Sequence, residues 1–201
     1  MKAKLLALLL LATLFIMGCS KKLAPNAAYG MLQKREIVKD LKAGTPFAGN
    51  SITTGKQAKF KLALTDSVMQ YTLNGSNIRS NFKDFFTDTK PNTKYKLTIS
   101  SLCDCLGFKK YLFLPALYVF DTNGQFIKSD VNTDFNYLNG PLSLNSYYTF
   151  NSGMGGNLKL VVFSANQNLN QSVYKFVVIF ITAHVRTNIG GDYNILLEEI
   201  K

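Results

Sequence analysis

Residues that carry metal and catalytic chemistry are scarce in this chain of 201 amino acids. It has one histidine, three cysteines, no tryptophan, and 12 acidic residues against 23 basic ones. A zinc site needs three or four ligands, and the chain offers only the pair Cys103 and Cys105, the neighbouring Asp104 and the single His184. The sequence therefore predicts no metal site, and it indicates no cofactor.

Motifs for common chemistries are incomplete as well. His184 follows an apolar stretch, which favours a strand-end position, and no serine or cysteine beside it carries a nucleophile motif. Asp121 and Asn123 lack the spaced carboxylates and closing glutamate of a calcium loop, so they predict a hairpin turn. The glycine-rich loop at residues 153–156 lacks the lysine of a phosphate-binding loop. We therefore predict that the protein is not an enzyme.

The longest apolar run lies at the N-terminus. Lys2 and Lys4 precede an uncharged segment, residues 5–17, that is apolar except for Thr13. This run is shorter than the ~20 apolar residues that a membrane-spanning helix needs. It predicts a cleaved export signal, with an uncleaved anchor as the alternative.

The signal ends in Ile16-Met17-Gly18-Cys19, which resembles the lipobox of bacterial lipoproteins. The resemblance implies that residues 1–18 are removed and that Cys19 carries the acyl chains, such as palmitate, of a lipidated N-terminus. Several acyl chains attach a protein permanently, whereas one holds it only marginally. Serine follows Cys19, and not the aspartate that retains enterobacterial lipoproteins in the inner membrane. We therefore expect a lipid anchor in the outer membrane, with the protein facing the periplasm.

The mature chain remains basic. Removal of residues 1–18 leaves 21 basic and 12 acidic residues, a net charge of +9. Outside the cytoplasm such a balance suits an anionic membrane surface or an acidic partner, and no nucleic acid partner is predicted. Simple solubility is the alternative explanation.

Residues 19–57 are polar and contain several glycines and prolines. We interpret them as the lipidated N-terminus and a basic tether. Within them, residues 29–42 place apolar side chains at a loose helical spacing, which predicts a short helix. A partly ordered linker is the alternative.

Residues 58–201 alternate between apolar and polar side chains and are punctuated by Asn, Gly and Ser clusters, and Asn74-Gly75 predicts a turn among them. The pattern predicts an all-β fold, an antiparallel β-sandwich of about eight or nine strands. Residues 80–87 carry phenylalanines at helical spacing and predict one short helical turn. Residues 111–121 are apolar on both faces and require cover on both sides. Residues 173–184, the most apolar mature segment, predict a central strand.

Several segments resemble two bacterial β-sandwich families, the pre-peptidase C-terminal domains and the maltose-operon periplasmic proteins. They are the turn Thr53-Thr54-Gly55-Lys56-Gln57, the strands at residues 68–73 and 95–99, the strand and turn at residues 115–124, and the closing strands at residues 158–164 and 191–197. The resemblance covers about residues 52–197. It implies a non-catalytic accessory or binding module and transfers no site residues. The lipid anchor and the cysteine pair depart from these families.

Cys103 and Cys105 share the strand parity of the apolar residues before them. Neighbours on one face of a strand stand roughly 6.5–7 Å apart, at the upper edge of disulfide geometry. A mutual disulfide therefore needs a local turn. Buried free thiols, and a disulfide or redox role with a partner, remain the alternatives.

Tyr147 and Tyr148 are adjacent on a predicted strand and are both candidate surface contacts. Alternation should expose one of them, and Tyr148 is our example of an exposed aromatic residue. Taken together, these observations lead us to expect a lipid-anchored envelope protein that acts through protein contacts. It would be an accessory or structural component of an assembly with an envelope protein partner. A glycan- or polysaccharide-binding module is the alternative.

Overall fold

The computed structural model describes residues 23–38, 50–105, 110–136, 142–178 and 181–200. Over these residues, one helix, α1 (Pro25–Leu32), precedes fourteen strands. The strands are β1 (Asn50–Ser51), β2 (Ala58–Leu62), β3 (Val68–Leu73), β4 (Ser76–Thr89), β5 (Lys94–Leu102), β6 (Lys110–Phe113), β7 (Pro115–Phe120), β8 (Phe126–Ile127), β9 (Asp130–Asn136), β10 (Ser143–Asn151), β11 (Gly156–Ser164), β12 (Ser172–Val178), β13 (Ile181–Asn188) and β14 (Gly191–Ile200).

Two large sheets form the sandwich. The six-stranded sheet has the order β1-β4-β11-β7-β8, with β3 also paired to β4, and the five-stranded sheet has the order β2-β14-β5-β10-β9. A small third sheet has the order β12-β13-β6. Most described pairs are antiparallel, and β1 with β4 and β13 with β6 are parallel. The predicted all-β sandwich is confirmed, although the structure divides it into more strands than the eight or nine expected.

The main core lies between the two large sheets, and the six-stranded sheet buries its other face as well. On β11, Leu160 and Val162 belong to the main core, whereas Val161 and Phe163 belong to a second apolar cluster. The strand β7 divides in the same way between these two clusters. The expectation that residues 111–121 need cover on both sides is therefore confirmed.

The helical turn predicted at residues 80–87 is wrong, because these residues lie within β4. Phe82 and Phe85 are both buried, Phe85 in the main core and Phe82 in the second cluster. A strand covered on both faces buries side chains of both parities. The phenylalanine spacing therefore mimics a helical pattern, and ladders to β3 and β11 decide the conformation.

The central strand predicted at residues 173–184 is also wrong. The segment forms the hairpin β12–β13, in which Val178 pairs with Ile181. The strand β12 lies at the edge of the small sheet. A continuous apolar run does not show where a chain reverses, which is why the hairpin was missed.

The predicted turns agree with the structure. Asn74 and Gly75 both have positive φ and form the two-residue turn of the β3–β4 hairpin. Between β7 and β8, one carboxylate oxygen of Asp121 accepts the backbone N–H groups of Asn123 and Gln125, at 2.9 and 2.7 Å. Two local hydrogen bonds thus hold the predicted hairpin turn closed.

The described part of the predicted tether packs on the sandwich. The helix α1 starts and ends earlier than the predicted residues 29–42, and its Leu32 is fully buried. The N–H of Val38 donates to the carbonyl of Val68 at 2.8 Å. Residues 50–51 pair with β4, and Ile52 lies in the main core. The folded unit therefore includes residues N-terminal to position 58.

Tyr71 on β3 gives the second cluster a measurable pH response. Its hydroxyl donates to the side-chain oxygen of Gln167 at 3.1 Å and accepts the N–H of Asn166 at 3.0 Å. Burial raises the pKa of Tyr71 to about 12, against about 10 for an unfolded chain. The contribution of this group to stability is complete below pH 10 and is lost as the pH rises through 12.

We therefore expect the thermal midpoint of unfolding to fall between pH 10 and 12, and to fall less in the variant Tyr71→Phe. Thermal scans monitored by circular dichroism across this range measure both. Because burial also raises the pKa values of Tyr118, Tyr148 and Tyr193, the Phe variant keeps part of the response. An identical pH dependence in both proteins would contradict the assignment to Tyr71.

Candidate functional site

A groove at one end of the sandwich is the main concave feature we consider. It has a cavity volume of about 760 Å³ and is bounded by the chain after β2, the chain after β5 and the turn before β14. Leu23 and Ala28 from the N-terminal segment also line it. We call this feature the end groove. Its volume is in the range typical of ligand and peptide pockets.

Close packing of two backbones forms the floor of the end groove. A Cβ atom on Gly190 would lie 2.2 Å from the carbonyl oxygen of Leu62, so only glycine permits this approach. Leu62 and Ile189 are buried beside it. The floor is therefore apolar and fixed by backbone contact.

The N-terminal segment holds one wall of the end groove in place. The guanidinium group of Arg35 donates to the carbonyl oxygens of Leu64, Thr65 and Asp66. The carboxylate of Asp66 also accepts the N–H of Ala63 at 2.8 Å. Several charge-assisted hydrogen bonds thus fix the loop after β2 to the segment that follows α1.

Cys103 and Cys105 form the opposite wall. The structure joins them in a disulfide with Cα atoms 5.2 Å apart, inside the usual range for a disulfide. The strand β5 ends at Leu102, and Asp104 then makes a bridge to Tyr111. This break in the strand is the local turn that the sequence showed to be necessary.

The rim of the end groove is charged. Lys59 and Lys61 lie on the exposed face of the edge strand β2, and Asp192 lies beside them on β14. The ammonium of Lys59 is 3.5 Å from the carboxylate of Asp192, and both side chains are largely exposed. Such a pair contributes little to stability, so the rim charges are available to a partner.

The described residues contain one pair with nucleophile-to-base spacing. The hydroxyl of Ser172 on β12 lies 3.1 Å from Nδ1 of His184 on β13. His184 is in the middle of β13, and not at a strand end as predicted. No carboxylate in the described part of the chain hydrogen-bonds its other ring nitrogen, and Ser172 is exposed. The sequence missed this pair because twelve residues separate its members and only the hairpin joins them.

Potential metal ligands do not cluster over the described ranges: no group of three or more His, Cys, Asp or Glu side chains could hold an ion. A buried ion pair lies elsewhere, on the six-stranded sheet. The ammonium of Lys159 is 3.7 Å from the carboxylate of Asp84, and both residues are buried. Removal of either partner would leave an uncompensated buried charge.

The outer face of the five-stranded sheet is polar. Tyr147 on β10 pairs with Thr98 on β5 and with Asn132 on β9. Next to this row, Asn145 pairs with Ser100. Leu97, Ile99 and Tyr148, which have the opposite parity on β5 and β10, lie in the main core, so Tyr147, Thr98 and Ser100 share the outer face. We call this surface the polar face.

The structure separates the two predicted contact residues. Tyr148 is buried in the main core, and its hydroxyl donates to the carbonyl of Pro115 at 2.7 Å. Tyr147 is half-buried on the polar face, with the ammonium of Lys96 4.7 Å from its ring centre. The prediction of Tyr148 as a surface contact is therefore wrong, because alternation along β10 turns it inward.

Cys19, the predicted lipidation site, lies outside the described residues. None of the helices formed by the described residues is both long and apolar enough to cross a membrane.

Comparison with known proteins gives one weak structural neighbour. No protein-family model matches the chain, and no curated protein matches it. The pre-peptidase C-terminal domain of collagenase from Bacillus anthracis aligns with 74% of this chain and 93% of its own, at 10% identity and a TM-score of 0.29. This neighbour is a β-sandwich of one of the two families that the sequence resembles. A TM-score this low is no evidence of function.

Proposed function

We propose that this protein is a lipid-anchored component of the bacterial cell envelope that acts without catalysis, as an accessory or structural part of a protein assembly. The observation that carries the proposal is the export signal ending in the lipobox at Cys19. Acylation at Cys19 would attach the sandwich to the outer membrane on its periplasmic side.

The end groove is the contact region that best suits a protein partner. Its floor is apolar, with Leu62 and Ile189 buried beneath it, and its rim carries the exposed charges of Lys59, Lys61 and Asp192. An apolar centre with a charged rim is the usual arrangement of a protein interface. An extended segment of a partner protein fits this shape and chemistry.

Site-specific crosslinking in intact cells tests the proposal. A photo-crosslinking amino acid at Lys61, on the rim of the end groove, is expected to capture one fixed envelope protein. The control position is Met154, which is 76% exposed and lies in the turn between β10 and β11. Mass spectrometry of the adduct identifies the partner. If no adduct forms at Lys61, or if the same adducts form at Met154, the groove is not the contact site.

The polar face supports a second candidate, a module that binds glycans. Tyr147 offers an aromatic ring for the apolar face of a sugar, and Asn132, Thr98 and Ser100 offer groups that hydrogen-bond hydroxyls. Tyr147→Ala is expected to abolish retention on purified cell-wall or outer-membrane glycans. Phe126→Ala is the matched control, because Phe126 is an exposed aromatic residue on the other sheet. Equal retention of both variants and the parent protein would remove this candidate.

A further inference from the structure

The helix α1 exposes apolar residues beside one polar residue, Asn26, on its outer side. Its inner side buries Pro25, Ala28 and Leu32 against the sandwich. On the outer side Ala27 is exposed and Met31 is 52% exposed. Leu23, just before the helix, is 46% exposed. We call Leu23, Ala27 and Met31 the apolar ridge.

Exposed apolar side chains on the outer side of a surface helix are unusual, because such a helix normally turns polar residues to solvent. In the described part of the chain, the other large exposed apolar residues lie singly on separate elements. They are Leu73, Phe126, Val131 and Met154. Single exposed residues of this kind need no explanation. Leu23 and Met31 differ from them, because both lie on the one segment that leads from Cys19 into the sandwich, whereas Phe126 and Val131, although close in sequence, lie on strands of different sheets.

The length of chain between Cys19 and the ridge limits how far the ridge lies from the acyl chains. Four residue steps separate Cys19 from Leu23. An extended chain advances at most about 3.6 Å per residue, so these steps span roughly 14 Å or less. If Cys19 is acylated, as the proposed function states, the apolar ridge stays within that distance of the lipid head groups.

The helix α1 is held against the sandwich by burial and by hydrogen bonds. Leu32 is fully buried. The guanidinium of Arg79, on β4, donates to the carbonyls of Gln33 and Arg35. The backbone N–H of Arg79 also donates to the hydroxyl of Tyr29, at 3.4 Å. Because of these contacts, whatever holds the ridge also orients the whole domain.

The charges near the ridge suit an anionic surface. Lys21 and Lys22 precede it in sequence, and Lys34 is exposed just after it. Glu36 is the nearby exposed acid, and Arg35 is engaged with backbone carbonyls. Apolar residues flanked by lysines are typical of segments that lie in the interface of a membrane with anionic lipids.

We propose that the apolar ridge inserts into the head-group interface of the bilayer that holds the acyl chains. The partner of the ridge is thus a lipid surface with anionic head groups. Insertion fixes the domain in one orientation. The end groove, lined in part by Leu23, then opens near the membrane. The turn with Met154 lies far from α1, because it adjoins the end of β4 ten residues beyond Arg79, up to about 33 Å along a strand.

Single tryptophans test this proposal cleanly, because the chain has none. The acylated variants Met31→Trp and Met154→Trp are purified from membranes. They are then reconstituted into vesicles of phosphatidylethanolamine and phosphatidylglycerol, with or without brominated acyl chains. The tryptophan at position 31 is expected to emit at shorter wavelength and to be quenched several-fold by brominated lipid. The one at position 154 is expected to show neither change. Ala27→Trp, on the same side of α1, is the second reporter if Met31→Trp folds poorly.

Each other outcome has a distinct meaning. If the acylated protein floats with the vesicles but position 31 is not quenched, the ridge does not insert and the inference is wrong. A shift to shorter wavelength without quenching would mean that protein covers the ridge, which also overturns it. Equal quenching at positions 31 and 154 would exclude a fixed orientation. If mass spectrometry finds no acyl chains on Cys19 and the protein does not float, the proposed function itself fails.

Discussion

The variant Cys19→Ala is expected to lose its acyl chains and to disappear from the membrane fraction, while the domain keeps its thermal midpoint of unfolding. Acylation needs the cysteine thiol, and once residues 1–18 are removed the contact with the bilayer that we propose for the described residues is the short apolar ridge. A contact of that size binds reversibly. Fractionation of the envelope and the intact mass of the mature protein measure the two losses.

The leader itself needs a control, because loss of the cysteine can also block its removal. A second variant therefore carries an ordinary cleavable export signal in place of residues 1–18, together with Cys19→Ala. This protein is expected in the soluble periplasmic fraction with an unchanged circular dichroism spectrum. Unchanged acylation and unchanged membrane fractionation in Cys19→Ala would show that the lipoprotein interpretation is wrong.

The variant Tyr148→Ala is expected to lower the free energy of unfolding by about 3–5 kcal/mol, because it empties an aromatic site in the main core. In a domain of this size such a loss lowers the thermal midpoint by about 6–20 °C. Tyr148→Phe keeps the ring but leaves the carbonyl of Pro115 without its donor. It should cost about 1–3 kcal/mol. Chemical denaturation of the three proteins measures both differences.

The neighbouring variant Tyr147→Ala is the matched control. In the parent protein the Tyr147 ring is half-buried, and the ammonium of Lys96 lies over it. An interaction of this kind contributes about 0.5–1 kcal/mol at an exposed site. We expect a loss of stability no larger than that. If Tyr147→Ala destabilises as much as Tyr148→Ala, the orientation of β10 described above is incorrect. The pair also shows why a binding test on this strand has to use Tyr147.

Alternation along the strands predicted the sandwich well where each strand has one buried face. On β5, Tyr95, Leu97 and Ile99 are buried as their parity required. Alternation failed on β4, because this strand is buried on both faces and its sequence does not alternate. The phenylalanines at 82, 85 and 86 have a helix-like spacing instead. Alternation failed again on β12 and β13, where the chain reverses inside an apolar run.

The candidate site was less predictable than the fold. Lys59, Gly190 and Cys103 line one groove although they are far apart in sequence. Their approach depends on strand order and on the contact between Gly190 and Leu62. Patterns of neighbouring residues in the sequence contain neither the strand order nor this contact. Strand geometry predicts that a Cys103–Cys105 disulfide needs a local turn. The structure shows where that turn lies, because β5 ends at Leu102.

The sequence by itself determined the strands with one buried face and the hairpin turns at Asn74 and Asp121, because each depends on residues adjacent in the chain. The lipid anchor at Cys19 rests on the same kind of local pattern and stays a prediction. The tertiary structure alone decided that Tyr148 faces inward and Tyr147 outward, and that the end groove exists. It also decided that residues 23–38, which the sequence placed in a tether, are docked on the sandwich. These features depend on which sheet face a strand presents and which distant backbone packs beside it. The free energy of burying apolar side chains against distant strands decides these features, and a strand read by itself does not show which of its faces another sheet will cover.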